Sequence, residues 1–376
     1  MTATLAPHAV GLGWRRALAS DLLADTSAVD FIEVVAENID DASKRLEMGA
    51  LAHVWPVVVH GVSLSLGGAA PRTHADQQRE RAFVELAHRV HAAFASEHIS
   101  FTRALDAQGH ELDIGHLTAL PRTPAAARVV ADNARRVQRK LGDVPLLLEN
   151  VAWSVRTCNA HSHETELDEA SFVRTVLEES GCGLLLDVAN LYANAKNEGL
   201  DASAVLAAYP LERVRMIHIA GSSVDAVDGF VYDTHAHAVP EDVLALLRQA
   251  LARCGRRPVL LERDRGFHFA DHVREVERLR AIAIDADLGS DVELDHTSRG
   301  TIVGAAERAA LGAWQHRLAR ALVHGDNGAR EFDDVELGRA RAILARKDGE
   351  RAQAPPKKPS LAARVRSRVA ASIPRL

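Results

Sequence analysis

The sequence predicts an α/β protein whose residues 1–284 form a (β/α)8 barrel, followed by a small C-terminal helical extension. Short apolar, β-branched segments alternate with longer segments of helical periodicity, and this alternation, without a run of hairpin turns, indicates a parallel sheet. Eight strand-like segments are present, which is the number that closes such a barrel. They occupy residues 10–12, 31–35, 57–62, 98–101, 146–149, 183–188, 215–220 and 258–262.

The segments between these strands have the apolar spacing of helices that cover a barrel. Residues 77–95, 125–141 and 171–180 are the clearest examples. The last of them stops at Gly181, and glycine is the residue most often found just past a helix end. Barrels of this kind commonly run to about 250 residues as one unit, so the length favours a single barrel over two smaller domains.

The composition and apolar spacing of the sequence change beyond residue 284. Residues 285–300 are polar and acidic and predict a linker, while residues 301–350 predict a helical appendage with helices at 305–324 and 335–344. Residues 351–376 are basic, and their apolar residues recur at helical spacing. This tail is therefore either disordered or a basic amphipathic helix for a partner or an anionic membrane.

Composition narrows the class of function. The chain has 376 residues, 47% hydrophobic and 26% charged, and its 45 basic and 51 acidic residues give a net charge of −6. This charge argues against general binding to nucleic acid. No apolar run approaches the ~20 residues of a membrane span, and no signal peptide is recognisable, so we expect a cytoplasmic protein. Its three cysteines are too widely spaced for a disulfide framework or a zinc knuckle.

Polar residues at the ends of the predicted strands give the strongest functional signal. Active sites of (β/α)8 barrels are built at the carboxyl ends of the strands. The segments VVVH, LLLEN, LLLDVAN, MIHIAG and VLLERD each place such a residue there, SEHIS opens the fourth predicted strand, and the loop DTHAH follows the seventh. The candidate metal ligands are His60, His98, Glu149, Asp187, Asn190, His218, Asp233, His235 and Glu262.

These residue types together predict a site for more than one metal ion. An unpaired buried carboxylate costs several kcal/mol, and converging carboxylates repel one another unless cations lie between them. Only four of the 19 histidines carry this prediction; the others lie on helical or loop segments and receive no role. Imidazole nitrogen and carboxylate oxygen, without thiolate, suit iron, zinc or manganese.

The same segments resemble the multinuclear non-haem iron-dependent oxidative enzymes, the MNIO family. The resemblance covers about residues 8–284, and it rests on FIEVVAEN at 31–38, HGVSLSLGG at 60–68, SEHIS at 96–100 and LLLDVANLYANAKN at 184–197. IHIAG, DTHAHAV and LLERD follow in the same order. It implies a xylose-isomerase-like TIM barrel, the fold of endonuclease IV, whose trinuclear centre uses the same strand ends.

The resemblance also implies how the ligands are shared. His60, His98 and Glu149 would hold one ion, and Glu149 would bridge to a second. The second ion would complete the catalytic centre, formed by Glu149, Asp187, His218 and Glu262.

A third ion would lie among Asn190, Asp233 and His235, and here the sequence departs from its relatives. Endonuclease IV has a histidine in the place of Asn190, so the third site is expected to be weaker or differently occupied. Ala189 replaces the first Asn of a DVNN-like motif, and Val35 stands where a His is common before AEN. These changes bear on substrate contacts more than on metal binding.

What the resemblance implies about activity is oxidation of a ribosomally synthesised peptide. Two or three irons, as Fe2+ and Fe3+, would use dioxygen to modify a cysteine, or alternatively an Asp or Asn, of the precursor. A separate leader-recognising protein is the expected partner, a docking role that residues 305–344 would also suit. Glu37, Asn38, Asn150 and Asn194 are the candidate substrate contacts. Glu33, Glu37 and Asn38, placed after the second strand, would either support the metal ligands or contact the peptide, and a helix N-cap is the alternative role for each of them.

Other functions of the same barrel remain open from sequence. A metal-dependent phosphodiesterase or DNA-repair nuclease is the first alternative, although the net negative charge opposes it. A sugar isomerase is the second, although no Lys ends a predicted barrel strand to polarise an open-chain sugar. A metal-bound but inactive scaffold is the third. Iron content and dioxygen consumption separate the oxidase from all of them.

Overall fold

The computed structural model describes residues 2–106, 108–155, 166–286, 300–327 and 331–353. Strands and helices alternate from residue 10 to residue 285, and two further helices follow. The strands of this described part are β1 Val10–Gly13, β2 Phe31–Val35, β3 Val57–His60, β4 Phe94–His98, β5 Phe101–Leu105, β6 Glu111–Thr118, β7 Leu146–Glu149, β8 Gly183–Asp187, β9 Val214–Val224, β10 Val231–His237 and β11 Val259–Glu262.

Eight of these strands close into a parallel barrel, which confirms the predicted fold. Their order is β1, β2, β3, β4, β7, β8, β9 and β11, and β11 pairs with β1 to complete the ring. The register places His98 of β4 opposite Glu149 of β7, and Asp187 of β8 opposite His218 of β9. Four of the sequence-predicted ligands are thus paired neighbours at the carboxyl ends of adjacent strands.

Helices cover the outside of the barrel, and their ends follow ordinary capping chemistry. Thr73 caps the helix His74–Arg89 through a capping box with Asp76, and Gly181 ends the helix Glu169–Ser180 in the left-handed conformation with φ 75°. The helices are α1 Ala19–Ala24, α2 Ala42–Leu51, α3 His74–Arg89, α4 Pro124–Leu141, α5 Glu169–Ser180, α6 Val188–Glu198, α7 Ala202–Ala208, α8 Glu241–Cys254, α9 Phe269–Asp285, α10 Ala305–His324 and α11 Asp334–Gln353. In the described part of the chain, none is both long and apolar enough to cross a membrane.

The fourth barrel strand was predicted wrongly at 98–101. It spans Phe94–His98, so His98 ends the strand instead of opening it, and the preceding helix stops at Arg89 rather than at 95. The error has a physical cause, because β4 carries the polar residues Ser96, Glu97 and His98 in a fully buried position. Apolar periodicity does not detect a strand that is buried for its chemistry.

Two antiparallel hairpins, which were not predicted from the sequence, interrupt the β/α alternation. Strands β5 and β6 pair with each other beside the barrel, after β4. Strand β9 continues past the barrel to Val224 and pairs with β10, with a register shift between Tyr232 and His237. The second hairpin carries the loop residues Asp233 and His235 back towards the barrel mouth.

The barrel interior below the mouth is filled by a small layer of apolar side chains, the apolar plug. It comprises Ala9, Phe31, Val58, Leu147, Leu185, Met216 and Leu260, all buried. Gly11 leaves room for the Phe31 ring, since a Cβ there would lie 2.5 Å from a ring carbon. Because side chains of a strand alternate between its two faces, the residue two positions later points into the same interior, one layer higher.

The two C-terminal helices pack on the barrel. The first, α10, matches the predicted helix at 305–324, and its apolar residues Leu311, Trp314, Leu318 and Leu322 are buried. Trp314 lies 5.9 Å from Phe101 of β5, between ring centroids, and 6.0 Å from Phe332. The second, α11, is longer than the predicted 335–344. Most of the predicted linker and tail, residues 287–299 and 354–376, lies outside the described residues.

Candidate metal centre

The layer above the apolar plug consists of charged and imidazole side chains. Six strands each place one there, two positions after a plug residue, for example Glu149 above Leu147 and His218 above Met216. The six are Glu33, His60, Glu149, Asp187, His218 and Glu262, and all are buried. The alternation of side chains along each strand, together with closure of the barrel, therefore brings five predicted ligands and Glu33 into one small volume.

One cluster of possible ligand atoms contains His60, His98 and Glu149. Oε2 of Glu149 lies 3.4 Å from Nε2 of His98 and 3.8 Å from Nδ1 of His60. The two rings meet edge to face, 4.7 Å apart between centroids. One atom from each of the three residues lies within 4.8 Å of the others, close enough to ligate one ion.

A second cluster contains Glu149, Asp187, His218 and Glu262, again with ligand atoms within 4.8 Å of one another. Nδ1 of His218 lies 3.2 Å from Oε2 of Glu262 and 3.4 Å from Oε1 of Glu149. The two carboxylate oxygens of Glu149 thus face different clusters. This is the arrangement that a bridging carboxylate requires.

Unpartnered polar atoms show that these residues suit a cation. Within the described part of the chain, Oε2 of Glu149, Oδ2 of Asp187 and Oδ1 of Asn190 are buried without a hydrogen bond. Nearly all buried polar atoms in proteins have a partner, and leaving one without costs about 1–3 kcal/mol. Three acceptors without donors, at one end of one barrel, fit a site for cations.

The predicted third group lies beside the second cluster on the β9–β10 hairpin. Nε2 of His235 is 2.6 Å from Oδ1 of Asp233 and 3.7 Å from Oε2 of Glu262. His235 has a φ of 50°, which is rare for a residue with a side chain and often marks a functional site. Asn190 donates through Nδ2 to the carbonyl of Asn150, so only its Oδ1 is available as a ligand.

Burial and mutual repulsion perturb the ionisation of the centre. Burial and the neighbouring His98 hold the pKa of His60 well below its ordinary value. Burial opposes protonation of His98 as well, but Glu149 and Glu97 outweigh it and raise its pKa to about 9. Burial and the nearby Glu149 raise the pKa of Asp187 well above the usual range. Perturbed groups concentrated in this way are typical of functional sites.

Each of the four histidines also has a polar partner outside the clusters. Oγ of Ser96 lies 2.9 Å from Nδ1 of His60, and Oε1 of Glu97 lies 3.2 Å from Nδ1 of His98. The other two partners are carboxylates, Glu33 for His218 and Asp264 for His235.

The sequence prediction gave no role to Ser96, Glu97 or Asp264. Each is close in sequence to a predicted ligand, in SEHIS and in LLERD, and this proximity was the available signal. Arg15 fixes Asp264 through two contacts, 3.0 Å and 2.5 Å to Oδ1. Glu33 was placed after the second strand, but it lies inside β2 and faces the barrel interior.

The candidate substrate contacts divide into two pairs. Glu37 and Asn38 are exposed at the rim, where Oε1 of Glu37 accepts from the hydroxyl of Ser63 at 2.6 Å. Asn150 and Asn194 are buried. They line a cleft together with Trp153.

Both buried amides are already engaged by the backbone. Asn150 donates to the carbonyl of Asp187 at 2.9 Å and accepts from its N–H at 3.0 Å, which joins the ends of β7 and β8. Asn194 accepts from Trp153 N–H and donates to the carbonyl of Val151. Their amides therefore support the loop after β7 and leave little capacity for a substrate.

The fold and the site together define a (β/α)8 barrel enzyme class in which histidine and carboxylate side chains gather at the carboxyl ends of the strands. Within it, the chain belongs to the family of RiPP precursor modification enzymes described as MbnB/TglH/ChrH, whose sequence model matches residues 9–284. This membership confirms the resemblance seen in the sequence. The matched region stops before helices α10 and α11.

Individual relatives cover mainly the length of the barrel. A UPF0276 protein of Pseudomonas aeruginosa is 40% identical over 278 residues, which are 71% of this chain and 92% of the relative. A UPF0276 protein of Streptomyces avermitilis is 37% identical over 267 residues, and there the match spans 70% of this chain but about half, 52%, of the relative. Among solved structures, a xylose isomerase-like TIM barrel protein from Mycobacterium smegmatis in complex with magnesium is similar with a TM-score of 0.49 and 13% identity, covering 74% of this chain and 98% of that chain.

Proposed function

We propose that the protein is an iron-dependent oxidase that modifies a ribosomally synthesised peptide with dioxygen. The observation that carries the proposal is the pair of ligand clusters that share Glu149, whose two oxygens face opposite ways. Two clusters in contact through one carboxylate suit a multinuclear centre, and the family is one of enzymes that modify peptide precursors. The mixture of nitrogen and oxygen donors suits iron.

In this proposal His60, His98 and Glu149 hold one ion, and Glu149 bridges to the second. The second cluster completes the catalytic centre with Asp187, His218 and Glu262, and Asn190, Asp233 and His235 are the ligands of a third ion. When bound, the irons supply one-electron chemistry and activate dioxygen, which no side chain can do.

The chain itself contributes placement and exclusion of water. The apolar plug closes the barrel directly below the centre, so solvent and substrate reach it only from the mouth. The proposed substrate residue is a cysteine, whose thiolate is a good iron ligand and would be anchored beside the ions; an Asp or Asn is the alternative. The exposed Glu37 and Asn38 are placed to contact the peptide at the rim. Dioxygen is the proposed co-substrate, a leader-recognising protein the proposed partner, and the cytoplasm the proposed compartment.

The experiment begins with protein purified without oxygen and loaded with Fe2+. Small peptides encoded beside the gene are co-expressed with it, and mass spectrometry of each peptide is combined with oxygen-electrode measurements. We expect a mass change in one peptide and oxygen consumption that depends on it. The Glu149→Gln variant, in which the bridge is lost, is the control and should do neither.

The result that contradicts the proposal is equally specific. A protein that takes up zinc but not iron, has no visible absorption, and consumes no oxygen with any of the peptides is not this oxidase. Cleavage of DNA or isomerisation of a sugar by the same preparation would replace it with one of the alternatives.

A further inference from the structure

Glu33 is a buried carboxylate that points into the barrel beside the second cluster. It is 2% exposed, and Oε2 lies 3.0 Å from Nε2 of His218, which is itself fully buried. Within the described part of the chain, this contact to His218 is the hydrogen bond that the Glu33 side chain makes. A carboxylate buried this deeply is costly, so its position beside His218 needs an explanation.

The contact determines which nitrogen of His218 carries the proton. An ionised carboxylate only accepts, so Nε2 must donate to Glu33, and the neutral ring then has its lone pair on Nδ1. Nδ1 faces Glu149 and Glu262, at 3.4 Å and 3.2 Å, inside the second cluster. The ring is thereby set with its lone pair towards the ion site.

His98 has the opposite arrangement, which makes the assignment specific. Its Nδ1 lies 3.2 Å from the carbonyl oxygen of Gly61 and 3.2 Å from Oε1 of Glu97. Its Nε2 faces Glu149 at 3.4 Å. The two rings thus use different nitrogens towards the centre, and in each case the outer nitrogen is held by a carboxylate.

We propose that Glu33 is a positioning residue of the second metal site, which holds His218 in the tautomer that ligates through Nδ1. The inference rests on the proposed metal centre and adds a residue and a ligand atom to it. Carboxylates bound to the outer nitrogen of a metal-ligating histidine fix the ring and raise its basicity, and their loss typically lowers metal affinity about 10- to 100-fold. Among the described residues, the Glu33 side chain is hydrogen-bonded to His218, so its loss should weaken mainly the second ion.

The test is a titration of the metal-free, full-length protein with Co2+ in the presence of a competing chelator, without oxygen or peptide. Glu33→Gln keeps the size of the side chain but offers an amide that can donate to Nε2 and favour the wrong tautomer. We expect affinity for one of the ions to fall about 10- to 100-fold, with the other ion bound nearly as in the unchanged protein. The thermal midpoint of each variant shows that it is folded.

Glu80→Gln is the matched control. Glu80 is also a carboxylate with 2% exposure, but it contacts Arg72, Arg136 and Lys140 on the outside of the barrel. Its variant should lose thermal stability and keep both Co2+ affinities. The control therefore separates loss of a buried carboxylate in general from loss of the contact to His218.

A spectroscopic signature tests the ligand atom directly. In the Co2+ protein the ring N–H of His218 should give a paramagnetically shifted, slowly exchanging proton signal, which Glu33→Gln should shift or exchange faster. The inference is overturned if the folded variant keeps both affinities and this signal, or if both ions are weakened equally. If the unchanged protein binds no Co2+ at all, the proposed centre itself is wrong.

Discussion

Gln315 of α10 accepts a hydrogen bond from the backbone N–H of Ala69, at 2.9 Å, although 246 residues separate them. The same buried amide donates to the carbonyl of Gly67 at 2.7 Å. Gly67 lies in the segment HGVSLSLGG, which begins with the proposed ligand His60, and Ala69 directly follows that segment. The C-terminal extension is therefore hydrogen-bonded to the loop that follows the proposed ligand His60.

Replacing Gln315 with Leu should destabilise the protein substantially. Two buried backbone groups lose their partners, and each unsatisfied group costs about 1–3 kcal/mol. We expect a loss of about 2–4 kcal/mol in the free energy of unfolding, measured in urea. Arg320→Ala on the same helix breaks a half-exposed ion pair with Asp326 and should cost about 1 kcal/mol or less. Equal effects of the two changes would contradict the role of Gln315.

Glu149→Gln and His98→Ala should affect the metal content differently. The glutamine cannot bridge two cations through two anionic oxygens, so both ions should be weakened together. Loss of His98 removes a ligand from the first cluster only and should deplete mainly one ion. Inductively coupled plasma mass spectrometry after dialysis measures the stoichiometry. Full metal content in both variants would show that the ligand assignment is wrong.

Metal binding should release a proton from His98 at neutral pH. In the metal-free protein its pKa is raised to about 9, so the ring is charged at pH 7, and a ligand nitrogen must be deprotonated. Affinity should therefore rise with pH until about 9. The charged ring also stabilises the metal-free fold most below pH ~6.5, and this stabilisation is lost as pH rises through about 9.

Calorimetry in buffers of different ionisation enthalpy counts the protons released. His60, whose pKa is well below its ordinary value, is already neutral at pH 7 and should contribute none. His98→Ala should release about one proton fewer than the unchanged protein. An unchanged proton count in that variant would locate the released proton elsewhere.

Asp76→Asn should reduce stability at neutral pH but not in strong acid. Although burial opposes it, hydrogen bonds from Arg79, Thr73 and Arg103 lower the pKa of Asp76 to about 2. A carboxylate whose pKa is lowered by folding stabilises the fold at pH values above its unfolded-state pKa, here near 3.8. That stabilisation is lost as the pH falls through about 2. We expect about 1–2 kcal/mol at pH 7 in urea titrations. If the variant and the unchanged protein still differ by as much in free energy of unfolding at pH 2, the stabilising role of the ionised Asp76 is refuted.

Much of the fold could be predicted from sequence because the barrel strands are apolar runs separated by helical periodicity. The bounds of strand β4 were predicted wrongly because most of its buried residues are polar. The residues that support the histidines were missed for a related reason. Glu33 and Asp264 make their contacts across 185 and 29 residues of sequence, respectively, and only the closed barrel brings those positions together.

Those site residues that lie at the end of an apolar strand could be predicted from the sequence. His60, Glu149, Asp187 and Glu262 each end an apolar run, and the structure places all four in one layer. The prediction could not show that the amides of Asn150 and Asn194 are used by the backbone, because such bonds depend on how loops fold over the strands. Whether these two residues also meet the substrate stays a prediction.

The C-terminal extension reaches two opposite sides of the barrel mouth. Gln315 holds the loop after β3, and Arg339 of α11 lies over the Phe230 ring at 4.0 Å and pairs with Asp228 at 2.5 Å on the β9–β10 hairpin. Strands β3 and β9 are four places apart in the ring of eight. The extension thus forms a strap whose contacts run from β3, past the β5–β6 hairpin, to β9.

This strap has a consequence for how a long, flexible substrate reaches the centre. One half of the rim is lined by the strap, whereas the other half, above β11, β1 and β2, carries the exposed Glu37 and Asn38. We expect the proposed peptide substrate to enter from the half of the rim that carries Glu37 and Asn38. A protein shortened at residue 284 would lose this one-sided access and would also expose the face of Phe101 that Trp314 covers.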